Sequence, residues 1–458
     1  MKKIASFFKW IGKDLKDIGI TFGDGDWKTR ISYLIMGFGP LVRGYFARGI
    51  AFLALEVLYI LYMVSFGADY LAKISSLGTV ETHMDLTTFV TVYGDNSFLI
   101  LLYGVLSIII TLAFILAWRM NLRENRNEEL AARENRKVPT VKEDLHQLLD
   151  NKFHVTLLAL PTLGIFTFMI VPIIFMVCVA FTNYDKQHQA PSNLFTWVGF
   201  ENFKKLVSFG GSGFGSTFFS ILGWTLVWAF FATFLNYFLG MAVAILINKK
   251  CVKFKKLWRT ILVMTIAIPQ FVSLLYVSKM FAPDGIINSK LLEWGWISQA
   301  LPFWKDPMWA RVTIIVINCW VGIPYLMLIS TGILMNIPED LYESARIDGA
   351  NGWQMFRKIT LPYMLFVTGP YLLTQFTGNL NNFNIIYLLS GGAPQSIDMT
   401  GSAGKTDLLV TWLYKMTLDD TNYCMAATIG IVVFLVTAGI SLVVYGLLPS
   451  VKDEEGFQ

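Results

Sequence analysis

Amide and aromatic side chains that interrupt long apolar runs are the residues of this 458-residue chain best equipped for chemistry. Gln270 follows Pro269 in one run, and Asn318, Trp320 and Tyr325 straddle Gly322 and Pro324 in the next. Gln375, Asn379, Asn381, Asn382 and Asn384 crowd a third. A planar amide carries donors and an acceptor side by side, which suits the paired hydroxyls of a sugar, while an aromatic face suits its C–H surface. Unpartnered amides in hydrocarbon are costly, so their presence there needs a purpose. They either bind a polyhydroxylated ligand or tie helices to one another. Pro269 and Pro324 weaken the backbone ladder and free carbonyls near mid-helix. Asn379 and Asn382 are three apart and share a helical face, as Gln375 and Asn379 do more loosely. Clustering in three successive runs favours the ligand reading.

Other chemistries find little support. The four histidines, His83, His146, His154 and His188, include no pair four apart, so a metal site is not expected. Cysteines at 178, 251, 319 and 424 form no CxxC and imply neither disulfide nor zinc framework. Gly401-Ser-Ala-Gly-Lys405-Thr406 looks like the end of a phosphate-binding loop, but Met399 stands where the first glycine belongs. The run from Gly210 to Gly215 lacks dinucleotide spacing and reads as a flexible loop before an apolar run. Asp398, Asp407, Asp419 and Asp420 read as solvated loop charges rather than a catalytic pair, so no enzyme is expected. Glu56 is the one acid well inside an apolar run. It either serves an ion path, as in ion-coupled carriers, or pairs with a neighbour near the membrane face.

The elements that must position these residues follow from composition. The chain is 55% hydrophobic and only 15% charged, against about 25% charged in ordinary soluble proteins. Its apolar excess falls in blocks of about 20 residues, enough to cross ~30 Å of hydrocarbon. The expectation is an all-α polytopic membrane protein with about eight transmembrane helices, near 48–67, 97–118, 155–181, 218–247, 259–281, 311–335, 361–389 and 425–448. Of the 37 Lys and Arg, 27 fall on the side that holds both termini and 8 on the other. Both termini are therefore expected in the cytoplasm, and the net charge of +5 reports sidedness rather than nucleic-acid binding. The expected organisation is a cytoplasmic N-terminal segment at 1–47 and a helix pair at 48–118. A charged, solvated connector at 119–154, a six-helix core at 155–450 and a tail at 451–458 follow. Within the first segment, Ile4, Phe7, Phe8, Ile11, Leu15 and Ile18 share a helical face opposite a set of lysines, the pattern of a helix lying on the inner leaflet.

Between the sixth and seventh predicted spans lies a segment, 336–362, whose local signals give two short helices. Pro338 suits a first helical position, and Glu339 with Asp340 suits the positive helix start. Gly349 suits a left-handed stop, a second helix follows at about 351–358, and Pro362 opens the next span. Leu341, Tyr342, Ala345 and Ile347 make this elbow more apolar than a solvated turn requires. It either meets a protein partner or lies on the chain's own inner face.

Glu343-Ser344-Ala345, Gly349, Ile359 and Leu361-Pro362 match, spacing for spacing, the EAA loop of importer-type ABC permeases, with Ser344 for the first alanine. Residues 318–325, 380–383 and 406–410 resemble the larger membrane subunit of maltose and maltodextrin importers, and the short loop at 182–217 resembles the Gram-positive form. The resemblance implies the type I ABC importer transmembrane fold. It implies that Glu343, Ala345 and Gly349 dock an ATPase. It also implies sugar contacts at Gln270, Asn318, Val321, Gly322, Tyr325, Asn379 and Asn382. Three positions depart from the pattern: Gln270 replaces a serine, Ile266 a tyrosine and Gly378 a phenylalanine, which implies a roomier site for longer glucans. The implied partners are a second homologous permease, two ATPase subunits that bind the ATP, an extracellular sugar-binding lipoprotein, a maltodextrin ligand and the lipid bilayer. The chain needs no cofactor of its own. Another oligosaccharide, such as a raffinose-type sugar, is the alternative substrate, and an ion-coupled sugar carrier using Glu56 the alternative mechanism.

Overall fold

A computed structural model describes residues 2–84, 87, 89–136, 138–208, 213–249 and 251–447. The expected 451–458 tail and residues 210–212 of the glycine run at 210–215 lie outside these residues, as do the side chains of 2–11 and Leu15 on the N-terminal helix. The chain forms two compact units, Met1–Trp197 and Val198–Gln458.

In the first unit, α1 (Lys2–Asp24) leads through short helical turns, Trp27–Ile31 and Phe38–Val42, to α2 (Phe46–Lys73). A small antiparallel hairpin, His83–Met84 with Thr91–Val92, precedes α3 (Ser97–Arg133). Helices α4 (Val141–Leu149) and α5 (Phe153–Val179) complete the unit. Helices α2 and α3 pack through the stacked rings of Tyr59 and Phe114, 3.9 Å apart, and a 2.8 Å hydrogen bond between Tyr62 and Ser107 hydroxyls.

The solvated connector expected from 119 onward is not what forms. Helix α3 spans 37 residues, some 55 Å at 1.5 Å per residue, so it runs well beyond a membrane crossing. Its charged second half buries Asn121, Asn125, Glu128 and Glu129. Residues 14–48 wrap that face. Arg43 donates to Asp26 and Thr29, both at 2.7 Å, and to Asn125 at 2.8 Å. Glu129 accepts from the Thr29 hydroxyl at 2.9 Å and the Asp26 N–H at 3.1 Å. Asp14 accepts from Arg119 at 2.9 Å, and Arg48 bonds Asp144 and the Pro139 carbonyl, tying α4 in. Composition alone made this segment look solvated because its partners lie about 100 residues upstream. Glu56 accepts the Met36 N–H at 2.8 Å, which gives it the local partner of the second reading above.

The second unit contains α6 (Phe214–Asn248), interrupted by a π-turn at Phe231–Leu235. Helices α7 (Lys255–Ala267) and α8 (Gln270–Met280) meet at 91°. The single straight span expected at 259–281 is therefore broken at Ile268-Pro269, where proline removes a ladder donor and pushes the preceding residue to extended backbone. Helix α9 (Pro307–Leu334), N-capped by Asp306, continues through Pro324. Helix α10 (Glu339–Ile347) forms the elbow. Turns Gly352–Met355 and Phe356–Thr360 then run directly into α11 (Leu361–Leu380), so the short second helix and the seventh span are one rod with a π-turn at the join. Helices α12 (Phe383–Leu389), α13 (Leu409–Leu418) and α14 (Tyr423–Leu447) complete the unit.

Among the described residues, six helices are long and apolar enough to cross a membrane, and the bent α7–α8 pair makes a seventh if it crosses as one span. The seventh expected span, α11, has 20 residues but carries Gln375 and Asn379, and falls short on apolarity. Trp228, Leu274, Ile314, Ile317, Ile385, Ile386 and Leu408 form a core between α6, α8, α9 and α12. Beyond the helix ends, Asp407 is buried rather than solvated. It accepts from Lys415 at 2.8 Å, the Gly404 N–H at 2.7 Å and Thr411 at 2.8 Å. Lys405 pairs with Asp398, so the phosphate-loop lookalike is a structural turn.

Candidate functional site

Two of the amides, Asn318 and Asn379, meet on α6, an element that sequence reasoning passed over. Thr233 and Asn236 are three apart, so they share a face at the π-turn. A π-turn replaces regular hydrogen bonding within a helix and marks functional positions in many proteins. Toward α11, the Asn379 amide donates to the Thr233 hydroxyl at 3.0 Å, and the Asn379 carbonyl accepts the Trp228 indole N–H at 3.1 Å. Toward α9, the Asn236 amide donates to the Asn318 carbonyl at 3.5 Å. Gly322, one turn further, allows this approach: a β-carbon there would sit 2.5 Å from the Asn236 amide nitrogen. The only hint in sequence was Thr233 and Asn236 at helical spacing inside an otherwise apolar run.

The expected pair Asn379 and Asn382 does meet. Asn382 donates to Asn379 at 3.3 Å and also caps α12 by accepting the Ile385 N–H at 3.4 Å. These two amides thus hold the structure together as drawn. Asn318 and Asn236 are different: the side-chain nitrogen of Asn318 and the side-chain oxygen of Asn236 are buried without hydrogen-bond partners. Val321 is half-buried, Tyr325 is half exposed, and Gln270 is exposed at the start of α8. The hydrogen bonds among the described residues link neither Gln270 nor Tyr325 to the amide group. Ile266 and Gly378 are exposed as well, so no ring fills either place. Trp320 faces an apolar groove between α8 and α9, lined also by Val272, Tyr276 and Val316.

The elbow forms through specific local chemistry. Pro338 stands just before α10, one place earlier than expected, and Glu339 and Asp340 occupy the first turn. Gly349 adopts φ +77°. The Ala350 N–H reaches the Ala345 carbonyl at 2.9 Å and the Gly349 N–H the Arg346 carbonyl at 3.0 Å. This double bond pattern is a Schellman stop, which needs the left-handed glycine. Asn351 and Gln354 then cap the next turn reciprocally. Tyr342 ties α10 to the base of α11 through a 2.8 Å hydrogen bond with Thr360. Glu343 is exposed and Ala345 half-buried, while Ile347 and Trp353 are 87% and 68% exposed. The elbow is thus rigid, with an uncovered apolar surface.

The structure defines a helical polytopic membrane protein with a protruding, capped elbow between two of its spans. Residues 236–453 match the family of binding-protein-dependent transport system inner membrane components. The chain is 34% identical over 442 residues to a maltodextrin transport system permease protein of Streptococcus pneumoniae, covering 93% of this chain and 97% of that one. It is 36% identical over 424 residues to a galactooligosaccharides transport system permease protein of Bacillus subtilis, covering 92% and 97%. A bacterial alginate ABC transporter in complex with its pentasaccharide-bound periplasmic protein shares the fold, with a TM-score of 0.52 and 24% identity over 65% of this chain and 95% of that one. The chain belongs to the binding-protein-dependent transport permease family.

Proposed function

We propose that this chain is the membrane-spanning permease subunit of an ATP-driven importer that carries maltose and maltodextrins into the cell by alternating access. The observation that carries this reading is its end-to-end similarity to a maltodextrin permease, with 97% of that protein covered. A binding protein delivers the glucan to the external face, and a second, homologous permease completes the pathway. Two ATPase subunits dock on the elbows, here through Glu343, Ala345, Gly349 and the exposed apolar surface around Ile347 and Trp353. The ATP stays with those subunits, and the chain catalyses no reaction of its own. Both termini lie in the cytoplasm, in keeping with the excess of Lys and Arg on that side. Gln270, Asn318, Val321, Gly322, Tyr325, Asn379 and Asn382 line the sugar's route. The missing rings at Ile266 and Gly378 leave room for longer glucans. Glu56, bonded to a local backbone N–H, has no part in coupling.

The 36% identity to a galactooligosaccharide permease favours a second substrate within the same mechanism. The test is uptake of labelled maltotetraose and of a labelled galactotetraose by cells lacking this protein, complemented with wild type or Gly349→Asp. Maltotetraose uptake that is lost in the variant, with the protein still in the membrane, is the expected result. Uptake of the galactoside alone would move the substrate to the second reading. Full uptake by the variant would remove the elbow from energy coupling.

A further inference from the structure

Two buried amides of the second unit leave complementary atoms without partners. Asn236 on α6 and Asn318 on α9 are each 4% exposed. The first lacks a donor for its side-chain oxygen, and the second lacks an acceptor for its side-chain nitrogen. They are neighbours, since the Asn236 nitrogen reaches the Asn318 backbone carbonyl at 3.5 Å. That contact also fixes the Asn236 amide orientation, because the flipped form would face oxygen with oxygen. A buried polar atom left unpaired costs far more than a paired one contributes, so two in one place are unusual in a finished core. A free donor and a free acceptor on two neighbouring residues are the complement of a hydroxyl, which accepts with its lone pairs and donates its single proton.

We infer that Asn236 is a substrate-binding residue: its side-chain oxygen and the Asn318 side-chain N–H together clasp one hydroxyl of the transported sugar. This rests on the sugar-transport reading above and adds to it a helix, α6, that the sequence left out of the site. Two independent features support it. Gly322 leaves room for the Asn236 head group, since a β-carbon there would come within 2.5 Å of its amide nitrogen. The same face of α6 carries Thr233, which holds Asn379 of α11. One face, at a π-turn, thus reaches the amides of both flanking spans, and such turns are frequent at functional sites. A water molecule could supply the same hydroxyl chemistry, and the experiment separates the two sources.

The test uses the whole importer complex, purified in lipid nanodiscs without its binding protein, since that protein would otherwise set the apparent affinity. Maltotetraose is titrated against thermal unfolding for wild type, Asn236→Leu, Asn236→Ser, Asn318→Leu and the double variant. A bound sugar stabilises the folded state by RT ln(1 + L/Kd), where L is the free sugar concentration, so the rise in melting temperature across the titration reports its affinity. The expected result is a roughly tenfold weaker affinity in Asn236→Leu, the loss of one hydrogen bond to a hydroxyl. Asn236→Ser, whose hydroxyl both donates and accepts, should recover part of it. The double variant should lose little more than either single one, because both side chains hold the same group. The sugar-free melting temperature of Asn236→Leu should be unchanged or higher, since an unpaired amide has been removed. A lower sugar-free melting temperature with unchanged sugar affinity would overturn the proposal and assign the pair to helix packing or a resident water. Wild-type uptake in cells is measured in parallel. Uptake without any sugar-dependent shift would overturn the proposal alone, whereas absence of uptake would remove the function reading and the proposal with it.

Discussion

Asp407 and Lys415 form the best-enclosed ion pair in the second unit, and it is the kind whose partners cannot be removed singly. The Asp407 carboxylate is fully buried, with a lysine at 2.8 Å and two further donors, the Gly404 N–H and the Thr411 hydroxyl. Lys415→Met would leave that charge uncompensated, a change that costs about 3–5 kcal/mol at such sites. The melting temperature should fall sharply, and the double change Asp407→Leu with Lys415→Met should restore most of it. Equal melting for wild type and Lys415→Met would mean that the pair is solvated in the working protein. In the sequence these residues were indistinguishable from loop charges, because nothing in a lone Asp announces that a lysine eight positions on folds back over it. Glu128 poses the opposite case. It lies ten residues past the crossing part of α3, which ends near 118, and burial pushes its carboxyl up to about 7 against the pull of Arg43 and Arg48 and with a push from Glu124. Arg48 stands 3.8 Å away, and neither Glu128 oxygen has a hydrogen-bond partner. A folded pKa above the unfolded value near 4.5 means the folded state holds its proton more tightly. Stability from this group is therefore greatest at low pH, declines as pH rises from about 4.5 to about 7, and is lost above. Thermal unfolding between pH 5.5 and 8.5 should show that decline in wild type and not in Glu128→Gln, which should melt higher at pH 8.

Helix boundaries set by local chemistry were the readable part of the sequence, and those set by distant contacts were not. The elbow is the clearest success: acidic residues at its start and glycine at its stop both stand where local rules put them. The glycine sets a prediction. At φ +77°, asparagine is tolerated and a β-branched residue is not. Gly349→Asn should therefore keep the elbow folded and most of the uptake. Gly349→Val should lose uptake while the spans still insert, measured as transport per molecule in the membrane. Equal uptake for the two variants would mean that the Schellman stop is dispensable. The broken span shows the limit. Sequence alone makes Pro269 a loosening of one helix, yet with Ile268 in extended backbone it turns the chain through 91°. Pro324, in the same kind of apolar run, leaves α9 continuous. Proline removes a backbone donor in both, and the packing around each, which no local pattern encodes, determines whether the helix bends. The site divides the same way. Asn379 and Asn382 were paired from spacing alone, whereas Asn236 became visible only once α6 packed on α9 and α11.

Sidedness is where the whole chain can be tested at once, because the broken α7–α8 pair decides the parity of everything after it. If the pair crosses the membrane, the loop before it and the elbow lie on the cytoplasmic side, and the loop at 281–306 lies outside. If it dips in and returns, 281–306 lies on the same side as the loop before it. Nature has placed a probe in the right position: Cys251 is exposed between α6 and α7, while Cys178 and Cys319 are half-buried and Cys424 is buried. A second probe is Lys290→Cys, in an exposed short helix, Ile286–Glu293, beyond α8. With a membrane-impermeant maleimide, intact cells should leave Cys251 unlabelled and label Lys290→Cys, and inside-out vesicles should reverse the pattern. Labelling of both from the same side would make the pair re-entrant. The elbow would then lie outside, and the six apolar crossings would keep both termini on one side only if α11 does not cross. Labelling of Cys251 from outside would put the elbow in a compartment without ATP, and the positive charge of the loops at 119–154 and 249–259 would lose its explanation. The charge bias makes the first pattern the expected one: 27 of 37 cationic side chains would otherwise have to cross during insertion, against the rule that governs loops this short.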